Sequence, residues 1–114
     1  MRTVSKDEGL TWSTPEELSP KGNHGPIKNK PVRVGKRIIL PTSDEFTPDD
    51  WRVYFWISDD DGKTWSRTPY VNQEGEIGGI QPSILIHKNG DLQAVGRTPR
   101  DVGFIYQTWS RDGG

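Results

Sequence analysis

Residues 58–65 read SDDDGKTW, and residues 5–12 read SKDEGLTW. Both spell Ser-x-Asp-x-Gly-x-Thr-Trp, and the phrase starts a third time at residues 110–114, SRDGG. The three serines stand 53 and 52 residues apart. A near-constant period in this range marks repeated structural units. Each fixed residue suits a tight turn: Ser and Asp side chains can bond turn backbone groups, and Gly tolerates positive φ. The Thr hydroxyl adds a bond and the Trp ring can pack between neighbouring sheets. Ser58, Asp60, Gly62, Thr64 and Trp65 are therefore expected to form a self-satisfied turn. Ser5, Asp7, Gly9, Thr11 and Trp12 should form another, and Ser110 and Asp112 should open a third.

Working outward, KNKPVRV, KRIILPTSDE and WRVYFWIS precede the second copy, while GIQPSILIHK, DLQAVGRT and FIYQTWS precede the third. Each trio is β-branched, apolar or aromatic, and broken by Gly, Pro, Asp or Asn, as short antiparallel strands and their turns are. After the turn, WSTPEEL and WSRTPYV read as short fourth strands, with a helical turn at TPEEL as the alternative. Four strands per unit of about fifty residues is the pattern of β-propeller blades. Laying one unit on the other puts Pro31 opposite Pro82, Lys30 opposite Gln81 and the Thr42 region opposite Arg97. In VYFWIS both alternating sets are largely apolar or aromatic, so this strand is expected to be covered on both faces.

Composition narrows the function. The 114 residues carry 15 Lys+Arg against 16 Asp+Glu with no basic stripe, so nucleic acid is not an expected partner. The absence of cysteine excludes disulfides, thiolate metal sites and a Cys nucleophile. No apolar run is long enough to suggest a membrane span. DDDG does not read as a calcium loop, because Ile57 stands two residues before Asp59 where a ligand is needed and Thr68 where a Glu is needed.

The repeated turn resembles the Asp-box, or bacterial neuraminidase repeat, of the sialidase superfamily. The intervening segments GPIKNKPVRVGKRIILPTSDE and GGIQPSILIHKNGDLQAVGRT look like its predicted-neuraminidase branch. The resemblance implies an all-β, six-bladed propeller with the box between the third and fourth strands of each blade, remote from the active site. On this reading residues 1–17 end one blade, 18–71 form a whole blade and 72–114 most of the next, so the chain is about two blades of a longer propeller. Open sheet edges would then favour the remaining blades or self-association as partners. The compartment is not legible, although a secreted or periplasmic parent is compatible with the family.

The functional face should lie at the other end, where the connections KGNHGPIKNK, NQEGEIGGIQ, TSDEFTPDD and RTPRDVG converge. The family implies an exo-glycoside hydrolase that holds a terminal anionic sugar with arginines, attacks with a Tyr activated by a Glu, and uses an Asp as acid and base. Arg97 is the candidate anion ligand, because a guanidinium grips a carboxylate in bidentate fashion; a rim salt bridge with Asp101 is its structural alternative. Lys28, Lys30, Gln81 and His24 are further substrate-binding candidates, and Asp44 and Glu45 the candidate acid/base residues. Neither a full arginine cluster nor a Tyr/Glu pair is recognisable, so these residues alone are expected to be inactive. The alternatives are a non-catalytic propeller that binds carbohydrate or protein, or a propeller enzyme acting on another glycan. No cofactor or metal is implied.

Overall fold

A computed structural model describes residues 1–17 and 25–114. The first sheet is built from β1 (Val32–Val34), β2 (Arg37–Glu45), β3 (Trp51–Ser58) and β4 (Ser66–Arg67), in that order and antiparallel throughout. The second contains β5 (Ile80–Ile86), β6 (Leu92–Arg97) and β7 (Ile105–Ser110), again antiparallel in chain order. Residues 1–17 form a hairpin closed by a bridge between Arg2 and Glu16, so Glu16 lies in extended pairing, not in a helical turn. The described residues contain no helix.

Burial explains the strand sequences. Ile39, Leu40, Pro41, Thr42 and Ser43 are consecutive and all buried, and Val53 and Tyr54 are buried on neighbouring β3. A strand buried on both faces does not alternate, which is why VYFWIS shows no polar side. Beyond β4 the edge continues irregularly, with the N–H groups of Thr68 and Val71 donating to the carbonyls of Phe55 and Val53. Ile39 and Phe55 of one sheet and Ile84, Leu92, Ala94 and Thr108 of the other line a half-open apolar pocket of about 300 Å³ between them.

The repeated turn has the expected place and wiring. It joins β3 to β4. Ser58 Oγ donates to Asp60 Oδ1 at 2.8 Å and accepts from the Gly62 N–H at 2.8 Å. Asp60 accepts from the N–H of Lys63 at 3.0 Å and of Thr64 at 2.8 Å, and from Thr64 Oγ1 at 2.6 Å. Trp65 Nε1 closes the loop on the Gly62 carbonyl at 3.2 Å. Ser5, Asp7, Gly9, Thr11 and Trp12 repeat this pattern, except that the Leu10 N–H donates to the Asp7 backbone carbonyl, at 3.2 Å, instead of to its carboxylate. In the third copy Ser110 Oγ donates to Asp112 at 2.6 Å and accepts from the Gly114 N–H at 2.7 Å. The fourth and fifth positions are left-handed every time: Glu8 and Gly9 at φ 60° and 93°, Asp61 and Gly62 at 63° and 83°, Gly113 and Gly114 at 90° and 97°.

Adjacent turns are tied to one another. Arg2 pairs with Glu16 and reaches the Gly62 carbonyl at 3.4 Å. Arg37 pairs with Asp59 at 2.7 Å and donates to the Gly114 carbonyl at 2.8 Å.

The ladders correct one alignment. Ile39 and Gln93 hold equivalent places, because they pair with Ile57 and Trp109, each the residue before a box serine. Val32 and Leu85, which pair with them, are therefore equivalent, so Gln81 is the counterpart of Lys28 instead of Lys30, and Pro82 that of Asn29 instead of Pro31. The backbone agrees, since Lys28 and Gln81 both have positive φ, 66° and 55°. Likewise Arg97 matches Ser43, one residue beyond Thr42.

Candidate functional site

The ends of β2 and β6 and the starts of β3, β5 and β7 lie at the end of the sheets opposite the repeated turns. There three of the four connections are fastened to each other by hydrogen bonds. Asn29 Nδ2 donates to the carbonyls of Gln81 at 2.7 Å and Pro82 at 3.0 Å, the Gln81 N–H donates to Ser43 Oγ at 3.2 Å, and the Gly79 N–H donates to the Trp51 carbonyl at 3.1 Å. Trp51 is also gripped from its other neighbour, for Asn72 Nδ2 donates to the same carbonyl at 2.8 Å. Its ring lies 5.2 Å from the Arg97 guanidinium carbon, a distance at which cation and π face attract.

Arg97 is exposed at the end of β6 and makes no ion pair among the described residues; the pairing with Asp101 does not form. Beside it, Pro48, Asp49, Trp51, Pro99, Arg100 and Asp101 line an open cleft of about 560 Å³ between the β2–β3 and β6–β7 connections. Lys28 and Lys30 are exposed on the segment that Asn29 anchors, and Glu45 is exposed at the end of β2 opposite Trp51 in the ladder. His24 lies outside the described residues.

Asp44 and Glu45 do not come together. Successive strand residues point to opposite faces. Asp44 is half-buried and engaged: the hydroxyls of Tyr54 and Tyr70 donate to it at 3.2 and 2.8 Å, and Arg67 Nη2 stands 3.7 Å away. Arg67 in turn covers both phenol rings, at 4.0 and 4.3 Å. Burial, aided by the Asp44 charge, pushes Tyr54 up to about 12, and burial raises Tyr70. Both phenols are therefore neutral donors at neutral pH, the reverse of an activated nucleophile. Nearby Arg52 is also committed, in a bidentate pair with Asp50 at 2.8 Å through each nitrogen. That pairing raises its already high pKa further.

Reading the sequence singled out Arg97, Lys28, Lys30 and Gln81, and all four stand at this end. It passed over Trp51, Arg100 and the Tyr54, Tyr70 and Arg67 cluster. The signal for Trp51 was the Pro-containing connection TPDDW, matched by RTPRD in the next unit. No signal marked the cluster, whose members come from β3, β4 and the edge beyond and meet Asp44 of β2. Among the described residues no group of three or more His, Asp or Glu side chains is placed to hold a metal ion.

Residues 1–114 match the family described as BNR repeat-like domain. The chain belongs to this family. Searching the curated proteins finds no match to this BNR repeat-like chain. Among solved structures it is similar to a crystal structure of an unknown function protein from Dyadobacter fermentans DSM 18053, with TM-score 0.74 and 23% identity. The match covers 98% of this chain and 35% of that one, so the BNR repeat-like chain spans about a third of its neighbour's length. At this identity the likeness concerns the fold.

Proposed function

We propose that this chain supplies part of the ligand-binding end of a six-bladed, sialidase-like propeller of the predicted-neuraminidase branch, which removes a terminal anionic sugar from a glycan. The observation that carries the reading is Arg97: an exposed guanidinium without an ion pair among the described residues, stacked on Trp51 where the connections of two successive units meet. Such a group is free to take a carboxylate in bidentate fashion. Lys28 and Lys30 add positive charge on the neighbouring connection, and Gln81 offers an amide for a sugar hydroxyl. Glu45 is the better acid/base candidate, because it is exposed while Asp44 is held by two phenols and an arginine. Neither an arginine cluster nor a Tyr/Glu pair is recognisable among the described residues.

One observation favours a second reading, a propeller that binds acidic glycans without cleaving them. The tyrosines at this end, Tyr54 and Tyr70, serve Asp44 and have raised pKa values. The test is hydrolysis of a fluorogenic sialoside by the protein expressed from the complete reading frame that contains this chain. Turnover, with kcat/KM reduced about tenfold or more by Arg97→Ala, supports the hydrolase. Binding of sialosides without turnover supports the second reading, and neither binding nor turnover overturns both.

A further inference from the structure

The cleft beside Arg97 has a chemistry of its own. Trp51 and the exposed Pro48 line it with π and C–H surface, and the largely buried Pro99 closes it from the β6–β7 connection. Around them stand Asp49, Arg100 and Asp101, and among the described residues none of these three makes an ion pair. Elsewhere arginines are committed: Arg33 and Arg37 pair with Asp61 and Asp59 at 2.6 and 2.7 Å at the opposite end, and Arg52 pairs with Asp50 at this one. Charged ends that remain unpaired around one aromatic ring are available to a ligand.

The ring itself is held ready. The Trp51 carbonyl is fixed by Gly79 and Asn72, and a Cβ at Gly78 would stand only 3.2 Å from the Trp51 Cβ. Arg97 covers part of the indole. The backbone that carries the indole is thus fixed and the ring has a packing partner in Arg97, and a pre-organised aromatic surface favours recognition.

We infer that this cleft is a pyranose subsite, in which a neutral hexose packs one face on Trp51 and directs its hydroxyls to Asp49, Asp101 and Arg100. A pyranose has an apolar C–H face and a polar circumference of donors and acceptors, and the cleft is its complement: apolar in the middle, with two acceptors and one donor group on the rim. A planar nucleobase would also stack, but it presents few donors to two carboxylates. The subsite rests on the glycan reading above and deepens it. Arg97 takes the terminal acidic residue, and the Trp51 cleft takes the sugar to which that residue is attached.

The test is an NMR titration of the protein expressed from the complete reading frame containing this chain, following the Trp51 indole N–H, which is assigned by its loss in Trp51→Phe. The probes are lactose, sialyllactose and adenosine. Lactose is expected to shift the Trp51 signal, and sialyllactose to bind more tightly. Trp51→Leu keeps apolar bulk but removes the aromatic face, and should weaken both sugars about tenfold. Asp101→Asn, on an exposed connection away from the ladders, should weaken lactose by a smaller factor with an unchanged thermal melt. If sialyllactose binds and Trp51→Leu, folded by its melt, binds it equally well, the subsite is overturned while the acidic-sugar reading stands. If lactose binds through Trp51 and sialyllactose binds no better, the subsite stands and the acidic-sugar reading falls. Failure of both sugars, or a preference for adenosine, overturns the subsite.

Discussion

Asp60 is the hub of the repeated turn. Hydrogen bonds from the Thr64 hydroxyl, then from the Thr64 N–H and Ser58, hold its carboxyl down at about 2, and Thr11 and Ser5 do the same for Asp7. A carboxyl whose folded pKa is depressed contributes stability that is fully present above its unfolded pKa and is lost as pH falls through the folded value. Melting temperature should therefore be steady down to about pH 4 and drop steeply between there and about pH 2. Asp60→Asn should melt lower at neutral pH and show a shallower acid slope; an unchanged slope would remove Asp60 from this role. Ser58 tests the same network from its buried side. It is 1% exposed and is the acceptor for the Gly62 N–H. Ser58→Ala should cost about 1–3 kcal/mol in denaturant unfolding, since it leaves that N–H without its partner. These roles were legible because a turn is local: every bond lies within five residues, so the residue types alone imply them.

Strands were legible as strands, but their register was not. Laying Pro31 on Pro82 put Gln81 opposite Lys30, whereas hairpins of unequal length shift the register and make Lys28 its counterpart. Long-range side-chain clusters were illegible for a related reason: Asp44, Tyr54, Arg67 and Tyr70 meet only once three strands are in register. The Tyr106 contact is of this kind as well. Its ring crosses Gly96 and Gly79, where added Cβ atoms would come within 2.5 and 2.6 Å of it, and the Ile80 carbonyl is 2.6 Å from the Gly96 position. Gly96→Ala should destabilise by about 1–3 kcal/mol, because a backbone oxygen cannot move aside as a side chain can. The Tyr106 hydroxyl is buried with no partner among the described residues, and burial raises its pKa. Tyr106→Phe should then be no less stable, with a gain of up to about 1 kcal/mol; a marked loss in thermal unfolding would mean that the hydroxyl has an unrecognised partner.

At the scale of the molecule, the second sheet keeps one face uncovered: Leu85, Trp109 and Ile105 are 46%, 48% and 72% exposed, and β7 has no strand on its outer side among the described residues. An apolar face beside an open edge favours association. The isolated 114-residue chain should show a mass that rises with concentration in light scattering, and Trp109→Lys should lower it; a monomer throughout would contradict this. The two ends of the sheets also differ in how they vary. From Ser43 to its ladder partner Val53 is a path of ten residues, and from Arg97 to Ile105 one of eight, yet the turn after each third strand begins with the same Ser-x-Asp-x-Gly spacing. The loop paths at that end thus differ by two residues, and the β1–β2 and β5–β6 hairpins by one (seven residues from Val32 to Ile39, eight from Leu85 to Gln93), while the box itself keeps its pattern. A fold arranged in this way can change its diet by respelling a few loops, without relearning how to stand.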